Sequence, residues 1–319
     1  MRNKIILIGG PTASGKSGLA MDIAEAIGGA IVNADSMQVY RELRILTARP
    51  SIEDETRVPH YLYGALAASA PCSAARWAEM CHEAITDIQG RKLVPVIVGG
   101  TGLYFRALIE GLAPVPQIPA ATREAVRQML KEHGPQYLHD RLHGLDPPMA
   151  ARLNPGDSHR LSRALEVFEG TGRSLLDWQM EKPQGGLLES MDGDDILKFA
   201  LLPPRDALYE RCNRRLRQMV EDWAALDELS AFLAERPDRG LPLMKALGVP
   251  QLAAYLAGGQ DLETALGEAQ AATRQYAKRQ MTWFRNQCRD WHVIDAQYSE
   301  SYFEEIFSFV KPFLLTMKD

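Results

Sequence analysis

Apolar residues in this chain fall into short continuous runs that alternate with longer segments of helical periodicity. The runs Lys4–Ile8, Lys92–Val98 and Ile196–Leu202 are rich in branched apolar side chains, which is typical of buried strands. Shorter runs predict further strands at residues 31–32 and over Trp291–Asp295. Because strands that alternate with helices pair in parallel, we expect an α/β fold built on a parallel sheet.

The first predicted strand leads into Gly-Pro-Thr-Ala-Ser-Gly-Lys-Ser, which fits the phosphate-binding loop pattern G-x-x-x-x-G-K-[ST]. Residues 18–27 follow with helical spacing, so the context is strand, glycine loop and helix. The glycines let several backbone N–H groups point at one anion, and the helix N-terminus adds partial positive charge. Lysine supplies a full charge, and the serine hydroxyl suits Mg²⁺. We therefore expect a di- or triphosphate to bind Gly10, Pro11, Thr12, Ala13, Ser14, Gly15, Lys16 and Ser17.

Asp35 follows the second predicted strand. Ligands of open α/β sheets bind outside the carboxyl ends of the strands, so this carboxylate is expected beside the phosphate loop. An Asp in this position can instead cap the next helix, with help from Ser36. Local sequence leaves both interpretations open.

The strand over Lys92–Val98 ends in Gly-Gly-Thr-Gly at residues 99–102 and is followed by a predicted helix. Motor ATPases carry an acidic residue at this place, and the chain contains no Asn-Lys-x-Asp guanine-specificity string. The sequence therefore disfavours hydrolytic motors and GTPases, and it favours a kinase or another transferase. The glycines could also bring the backbone close to a ligand.

Pro114–Pro119 contains three prolines and marks a boundary. Beyond it, every periodic segment up to Leu188 predicts a helix. We expect a P-loop NTPase-like core over residues 1–120 and an all-helical insertion over residues 121–190. The core then resumes over residues 191–319 with an arginine-bearing helix and C-terminal helices.

Two of the later helices concentrate cationic side chains. The helix that begins at Arg205 carries five arginines, which predicts either a solvated face or a lid over a phosphate. The segment Thr273–Arg285 interleaves basic residues with Gln, Tyr, Trp and Phe, which suits a nucleic-acid backbone and stacked bases. An amphipathic helix with Tyr276 and Trp283 packed inward would show the same pattern.

Composition narrows the class of protein. The chain has 319 residues, 46% of them hydrophobic, and a net charge of −5, so any signal for nucleic acid must be local. Mean hydropathy is −0.22 and no apolar run approaches the length of a membrane span. The first strand begins almost at Met1, so we expect no signal peptide. Four cysteines without metal-ligand spacing predict reduced thiols and a cytoplasmic protein.

Five strings, in this order and spacing, resemble the bacterial tRNA dimethylallyltransferases, also called tRNA isopentenyltransferases. They occupy residues 10–17, 34–40, 98–105, 157–167 and 277–285. The phosphate loop is common to many families, whereas the other four strings together are specific. The resemblance extends from residue 4 to about residue 290.

The resemblance implies transfer of the dimethylallyl group from dimethylallyl diphosphate to N6 of the adenosine just 3′ of the tRNA anticodon, with release of diphosphate. It implies that the phosphate loop holds the diphosphate, with Ser17 on Mg²⁺ and Arg215 as a further diphosphate ligand. Asp35 would be the base and Thr101 would lie at the reaction centre. The implied tRNA contacts are Asp35, Ser36, Met37, Gln38, Thr101, Arg123, His159, Arg160, Leu161, Ser162, Arg163, Lys278, Arg279, Gln280 and Arg285.

Physical chemistry is consistent with this implied reaction. Diphosphate leaves readily once a phosphate loop, Mg²⁺ and arginine neutralise its charge. An adenine amino group is a poor nucleophile, and a carboxylate that accepts its proton should accelerate attack by roughly 10²–10⁴-fold. The base must leave its stack to reach a buried carbon. The sequence predicts no protein partner, so we expect a monomer that binds the anticodon stem-loop and no membrane.

The chain departs from the family pattern in three places. Leu43–Pro50 replaces a run of the type Met-Asp-Ile-Gly-Thr-Ala-Lys-Pro, Val249 stands where an aromatic residue is common, and the segment after His60 lacks the usual Asp. These departures concern tRNA contact more than chemistry. Two alternatives are a small-molecule P-loop kinase, with a similar loop and arginine lid, and a non-catalytic RNA-binding protein.

Overall fold

The computed structural model describes residues 4–315, in which six strands form one sheet in the order β3-β2-β4-β1-β5-β6. All neighbouring strands pair in parallel, as the sequence predicts. The strands are β1 (Ile5–Gly9), β2 (Gly29–Asn33), β3 (His60–Tyr61), β4 (Val94–Gly99), β5 (Ile196–Leu201) and β6 (His292–Ile294).

The helices connect these strands and form a separate group between β4 and β5. In chain order they are α1 (Lys16–Ile27), α2 (Ile52–Arg57), α3 (Ala74–Gly90), α4 (Gly102–Ile109), α5 (Ala120–Leu145), α6 (Pro147–Ala150), α7 (Ser158–Thr171), α8 (Leu175–Met180), α9 (Arg205–Glu221), α10 (Ala225–Ala234), α11 (Val249–Leu256), α12 (Leu262–Gln287) and α13 (Phe303–Leu315). In the described part of the chain, no helix combines the length and the apolar character that crossing a bilayer requires.

The chain divides into two compact units. Unit 1 contains the sheet and comprises residues 4–108 and 190–315 of the described chain, and unit 2 comprises Ile109–Glu189. Unit 2 therefore begins before the predicted boundary at residue 121. The reason is local, because Ile118 is 3% exposed within the core of unit 2, and Leu112 and Gln184 exchange backbone hydrogen bonds of 3.0 and 2.9 Å.

The centre of the sheet is built from the most apolar runs. Every residue of β1 and β4 is buried, and their register aligns Ile6 with Val96 and Ile8 with Val98. These branched side chains pack with α1 and α13 in one core cluster. Since parallel strands are covered on both faces, near-continuous apolar runs are what such a sheet requires.

Several elements differ from the prediction. Residues 49–60 are polar, which is typical of a loop, but they contain α2 and the start of β3, a strand of only two residues. The helix α11 was not predicted, and the basic segment Thr273–Arg285 forms the second half of α12, which ends at Gln287. Within the predicted helical insertion, α5 is broken into two halves at Gly134, where φ is 79°.

Candidate active site

A cavity of about 300 Å³ in unit 1 lies where the loops that follow β1 and β2 meet α9 and α12. It brings together groups from distant parts of the chain, since Lys16 and Asp35 share its lining with Arg215 and Arg279. Because the carboxyl ends of parallel strands meet at one edge, this is the expected position for a ligand site.

The phosphate-binding loop owes its shape to two residues with left-handed backbone. Ala13 has a φ of 66° and Gly15 has a φ of 91°. A side chain at Gly15 would also collide with Tyr298, because its Cβ would lie 2.9 Å from the Cβ of that residue. The loop is therefore tightly curled before α1 begins at Lys16, as binding of a phosphate by backbone N–H groups requires.

Lys16 is the cation at the centre of this loop. Its Nζ donates a hydrogen bond of 3.0 Å to the carbonyl of Pro11. Burial lowers the pKa of Lys16 to about 8, and the nearby carboxylate of Asp35 partly opposes this shift. An anionic ligand in the cavity would favour the charged form of this lysine.

Asp35 lies on the cavity wall after β2, and no helix follows it directly. Its Oδ1 accepts a 2.9 Å hydrogen bond from the backbone N–H of Met37, so the carboxylate closes a turn rather than capping a helix. Buried Asn33 fixes the backbone, because its Oδ1 accepts from Asp35 N–H at 2.8 Å and its Nδ2 donates to the carbonyl of Asp35 at 2.9 Å. These bonds favour the interpretation of Asp35 as a residue of the site.

Thr101 connects the loop after β4 to the loop after β2. Its Oγ1 accepts a 3.0 Å hydrogen bond from Ser36 N–H, and its own N–H donates to the carbonyl of Ala34 at 3.1 Å. The side chain of Tyr276, on α12, lies beside that of Thr101. Burial raises the pKa of Tyr276, and the carboxylate of Asp35 raises it further, so this phenol stays protonated. The sequence left Tyr276 as either a packing residue or a stacking residue, and it lines the cavity.

Among the arginines of α9, the structure selects Arg215 for the cavity. Its Nη2 donates to the hydroxyl of Thr12 in the phosphate loop, and burial lowers the pKa of Arg215. Arg217 instead pairs with Glu221 and Glu263 at 2.7 Å each. The helix therefore places one arginine at the phosphate loop and carries a paired surface face, and its role as a lid over a phosphate stays a prediction.

Part of the cavity wall is a loop that the sequence did not mark as structured. The carboxylate of Glu228, on α10, accepts hydrogen bonds from the backbone N–H groups of Ile45 and Leu46 at 2.8–3.1 Å. Gln38 donates through Nε2 to the carbonyls of Thr47 and Ala48, both at 2.8 Å. The amide nitrogen of Gln38, which is a predicted tRNA contact, therefore stabilises this loop. The apolar lining of the cavity comes from Leu46, Leu216, Met219 and Leu247.

The basic segment of α12 divides into an exposed part and a buried part. Lys278, Arg279 and Arg285 are exposed, and the guanidinium of Arg279 lies 5.5 Å from the ring centroid of Tyr276. Gln280 was expected to contact tRNA, but its side chain is 6% exposed and bonded within the protein. That expectation is therefore wrong for Gln280, because helical periodicity turns it away from its basic neighbours.

The glycines after β4 accommodate α12. A Cβ on Gly100 would lie 2.2 Å from Nε2 of Gln280, and a Cβ on Gly102 would lie 2.2 Å from the ring of Trp283. Side chains of α12 therefore occupy the space beside both glycines, where the sequence suggested that the backbone could approach a ligand.

The candidate tRNA contacts of unit 2 lie on α5 and α7. Arg123, His159 and Arg163 lie around Glu166. Burial raises the pKa of Glu166, and the charges of Arg163 and Arg123 oppose this rise. Arg160 is exposed and 3.4 Å from Asp157. Leu161 was a predicted contact but is 0% exposed in the core of unit 2, so that expectation is wrong for its side chain. The hydroxyl of Ser162 is buried as well.

The donor set of the cavity fits Mg²⁺. The exposed hydroxyl of Ser17 and the carboxylate of Asp35 are hard oxygen ligands that line the same space. Within residues 4–315, no cluster of three or more His, Cys, Asp or Glu side chains forms a metal cage. Mg²⁺ in phosphate sites typically takes one or two protein ligands and completes its shell with phosphate oxygens and water.

Comparison with known proteins identifies close relatives. The family model described as IPP transferase matches residues 38–287, and the model described as isopentenyl transferase matches residues 3–68. The tRNA dimethylallyltransferase of Parvibaculum lavamentivorans is 50% identical over 313 residues, covering 98% of each chain. The enzyme of that name from Rhodospirillum rubrum is 46% identical over 98% of this chain and 95% of its own.

Solved structures agree with these sequence relatives. The tRNA isopentenylpyrophosphate transferase of Bacillus halodurans is 33% identical, with a TM-score of 0.69 over 98% of this chain and 97% of that one. A eukaryotic dimethylallyltransferase, solved acting on tRNA, has a TM-score of 0.79 over 98% of this chain and 79% of its own. At 24% identity, that second likeness concerns the fold alone.

Proposed function

The chain belongs to the IPP transferase family, and we propose that it transfers the dimethylallyl group of dimethylallyl diphosphate to tRNA. The acceptor is N6 of the adenosine that follows the anticodon on its 3′ side, and diphosphate is released. The observation that carries this proposal is one cavity that holds both Lys16 and Arg215, for an anionic leaving group, and Asp35, for an amino group.

The leaving group is held by the cationic side of the cavity. Lys16 and the curled backbone of the phosphate loop bind the diphosphate, and Arg215 adds a guanidinium fixed by Thr12. As the bond between the allylic carbon and oxygen breaks, its electron pair goes to the diphosphate oxygen. Preorganised positive charge at that oxygen stabilises the transition state without rearrangement.

The acceptor is activated by Asp35. The bond that forms joins N6 of the adenine to the allylic carbon, and the amino group must lose a proton. Oδ1 of Asp35 already accepts from Met37 N–H, so Oδ2 takes that proton. Ser36 and Tyr276 line the cavity with this carboxylate and orient the adenine, and Thr101 supports them from behind, since it accepts from Ser36 N–H and lies beside Tyr276.

The dimethylallyl group itself needs an apolar wall. Leu46, Leu216 and Met219 supply that wall on one side of the cavity. Burial of the group there excludes water from an electrophilic carbon, which favours attack by the amino group over hydrolysis. The cavity of about 300 Å³ leaves room for a small ligand of this size.

Mg²⁺ is proposed as the metal, with Ser17 as its protein ligand beside the diphosphate. When bound, it neutralises charge on the leaving group. The hydroxyl of Ser17 faces the cavity at the start of α1, which supports this role.

The tRNA is proposed to contact both units. Arg279 lies at the cavity, with Lys278 and Arg285 exposed along the same helix. In unit 2, Arg123, Arg160 and Arg163 supply cations and His159 adds an exposed imidazole. Exposed cations of this kind suit the phosphates of an anticodon arm. We further propose that the protein acts as a monomer in the cytoplasm.

The kinase alternative is tested directly by the choice of donor. The protein is incubated with Mg²⁺ and unmodified tRNA, with either dimethylallyl diphosphate or ATP, and released diphosphate or phosphate is measured. We expect tRNA-dependent release of diphosphate from the allylic donor. Phosphoryl transfer from ATP, with no turnover of the allylic donor, would reject the proposal in favour of a kinase.

A further inference from the structure

Gln280 connects two loops of the cavity from its position on α12. Its Oε1 accepts a 2.8 Å hydrogen bond from the backbone N–H of Thr12, and its Nε2 donates a 2.9 Å hydrogen bond to the carbonyl of Gly100. Gln280 is 6% exposed, and its bond to Gly100 is buried whereas its bond to Thr12 is partly buried. The two partners are 268 and 180 residues away along the chain.

Each of these loops carries groups that the proposed reaction needs. Thr12 holds Arg215 through its hydroxyl, which belongs to the diphosphate side of the cavity. Gly100 precedes Thr101, whose Oγ1 accepts from Ser36 and belongs to the acceptor side. The amide of Gln280 is thus a rigid spacer between a donor-binding loop and an acceptor-facing loop.

The contact is tight enough to fix the distance between the loops. A Cβ on Gly100 would approach Nε2 of Gln280 to 2.2 Å, so only glycine allows this arrangement. The bond to Thr12 also removes one N–H group of the phosphate loop from the set that could face an anion. Gln280 therefore stabilises the geometry of the phosphate loop, but it occupies one N–H group that could otherwise bind the ligand.

We propose that Gln280 is a positioning residue that holds the diphosphate-binding loop and the Thr101 loop at the separation required for transfer. This inference rests on the proposed function and goes beyond it, because it concerns alignment of the two substrates rather than binding of either one. A misplacement of reacting groups by about 1 Å can cost on the order of 10²-fold in rate. Loss of Gln280 should therefore lower kcat and leave both KM values nearly unchanged.

The test is steady-state kinetics of Gln280→Met, which keeps the length and most of the volume but removes both hydrogen bonds. We expect kcat to fall about 10- to 100-fold, with KM for dimethylallyl diphosphate and for tRNA each within about threefold of wild type. Gln218→Met, at an exposed position of α9 that does not line the cavity, is the matched control and should keep wild-type kinetics.

A second control separates alignment from stability. Leu266→Ala removes a 1% exposed core side chain from the same helix without touching either loop, so it should lower Tm but preserve kcat at a permissive temperature. Equal losses of kcat in Gln280→Met and Leu266→Ala at matched folded fractions would overturn the positioning role.

A double-mutant cycle keeps the inference falsifiable if one variant folds poorly. Gly100→Ala should reduce kcat in the wild-type background because its Cβ displaces Gln280. In the Gln280→Ala background the clash with Nε2 is gone and the carbonyl oxygen of Gly10, at 3.2 Å, stays near that Cβ, so the same substitution should cost at least threefold less. Additive effects would contradict the positioning role. If the wild type turns over and the Gln280 variants have the same kcat, this inference alone is rejected. If the wild type shows no turnover, the proposed function is rejected.

Discussion

Arg215 donates a hydrogen bond to the hydroxyl of Thr12, so a guanidinium from α9 rests on the phosphate loop 203 residues earlier in the chain. Burial lowers the pKa of Arg215, which shows that its charge is held at a cost in the protein alone. An anionic ligand beside both residues would offset that cost. The pair therefore marks the diphosphate end of the cavity.

Replacing Arg215 tests this assignment. Arg215→Ala should lower kcat/KM for dimethylallyl diphosphate by roughly 10²–10³-fold, because a preorganised donor to the leaving group is lost. The comparison is Arg214→Ala on the same helix, where the arginine is exposed and lies 4.0 Å from Glu210. Similar kinetics of the two variants would remove Arg215 from the site.

Lys16 predicts a pH dependence of diphosphate binding. Burial lowers its pKa to about 8, and only the protonated ammonium attracts an anion. Affinity should be full below about pH 8 and should weaken, by up to about tenfold per pH unit, as pH rises through that value. Calorimetric titration with inorganic diphosphate and Mg²⁺ between pH 7 and pH 9.5 measures this trend.

A variant separates Lys16 from the ionisation of diphosphate itself. Lys16→Met should bind weakly at every pH, so the difference between the two proteins should shrink above pH 8. If the difference in binding free energy between wild type and Lys16→Met stays constant from pH 7 to pH 9.5, the titration of Lys16 is not involved.

Asp35→Asn tests the proposed base. The amide retains an oxygen that can accept from Met37 N–H, so the turn at residues 35–37 should persist. Turnover should fall roughly 10²–10⁴-fold because proton transfer is lost, while the Kd for tRNA stays within about threefold. Single-turnover rates and filter binding measure the two quantities, and near-normal turnover would exclude Asp35 as the base.

We expect Arg279 to contribute to the salt dependence of tRNA binding. If its exposed guanidinium contacts one phosphate, Arg279→Ala should weaken binding and reduce the slope of log K against log salt by about 0.7–0.9. Arg91→Ala, at the end of α3 beside Tyr61, is the control and should leave the slope unchanged. Diphosphate affinity should be the same in both variants. An affinity for tRNA that does not change with salt would contradict binding of tRNA by exposed cations.

Features that depend on local sequence were predictable. The strands β1 and β4 are continuous apolar runs, and β5 is apolar except for Lys198. The curl of the phosphate loop follows from its sequence pattern and the helix that begins at Lys16. The strand β3 was missed because it has two half-buried residues, His60 and Tyr61, and owes its conformation to pairing with β2.

Features that depend on distant partners were not predictable from one sequence. Gln280 sits among basic residues, and its neighbours suggested RNA contact, whereas its partners Thr12 and Gly100 decide its role. Glu228 gave no local signal either, although its carboxylate holds the backbone of Ile45 and Leu46 at the cavity wall. In both cases tertiary contact overrides what the neighbouring residues indicate.

The most direct test of the central claim identifies the modified nucleoside. Labelled dimethylallyl diphosphate, Mg²⁺ and unmodified bacterial tRNA are incubated with the protein, and the tRNA is digested to nucleosides. We predict label in N6-dimethylallyladenosine, and none when the adenosine after the anticodon is replaced by guanosine in a transcript. Label in another nucleoside, or none with the native tRNA while the protein is folded and binds diphosphate, would contradict the account.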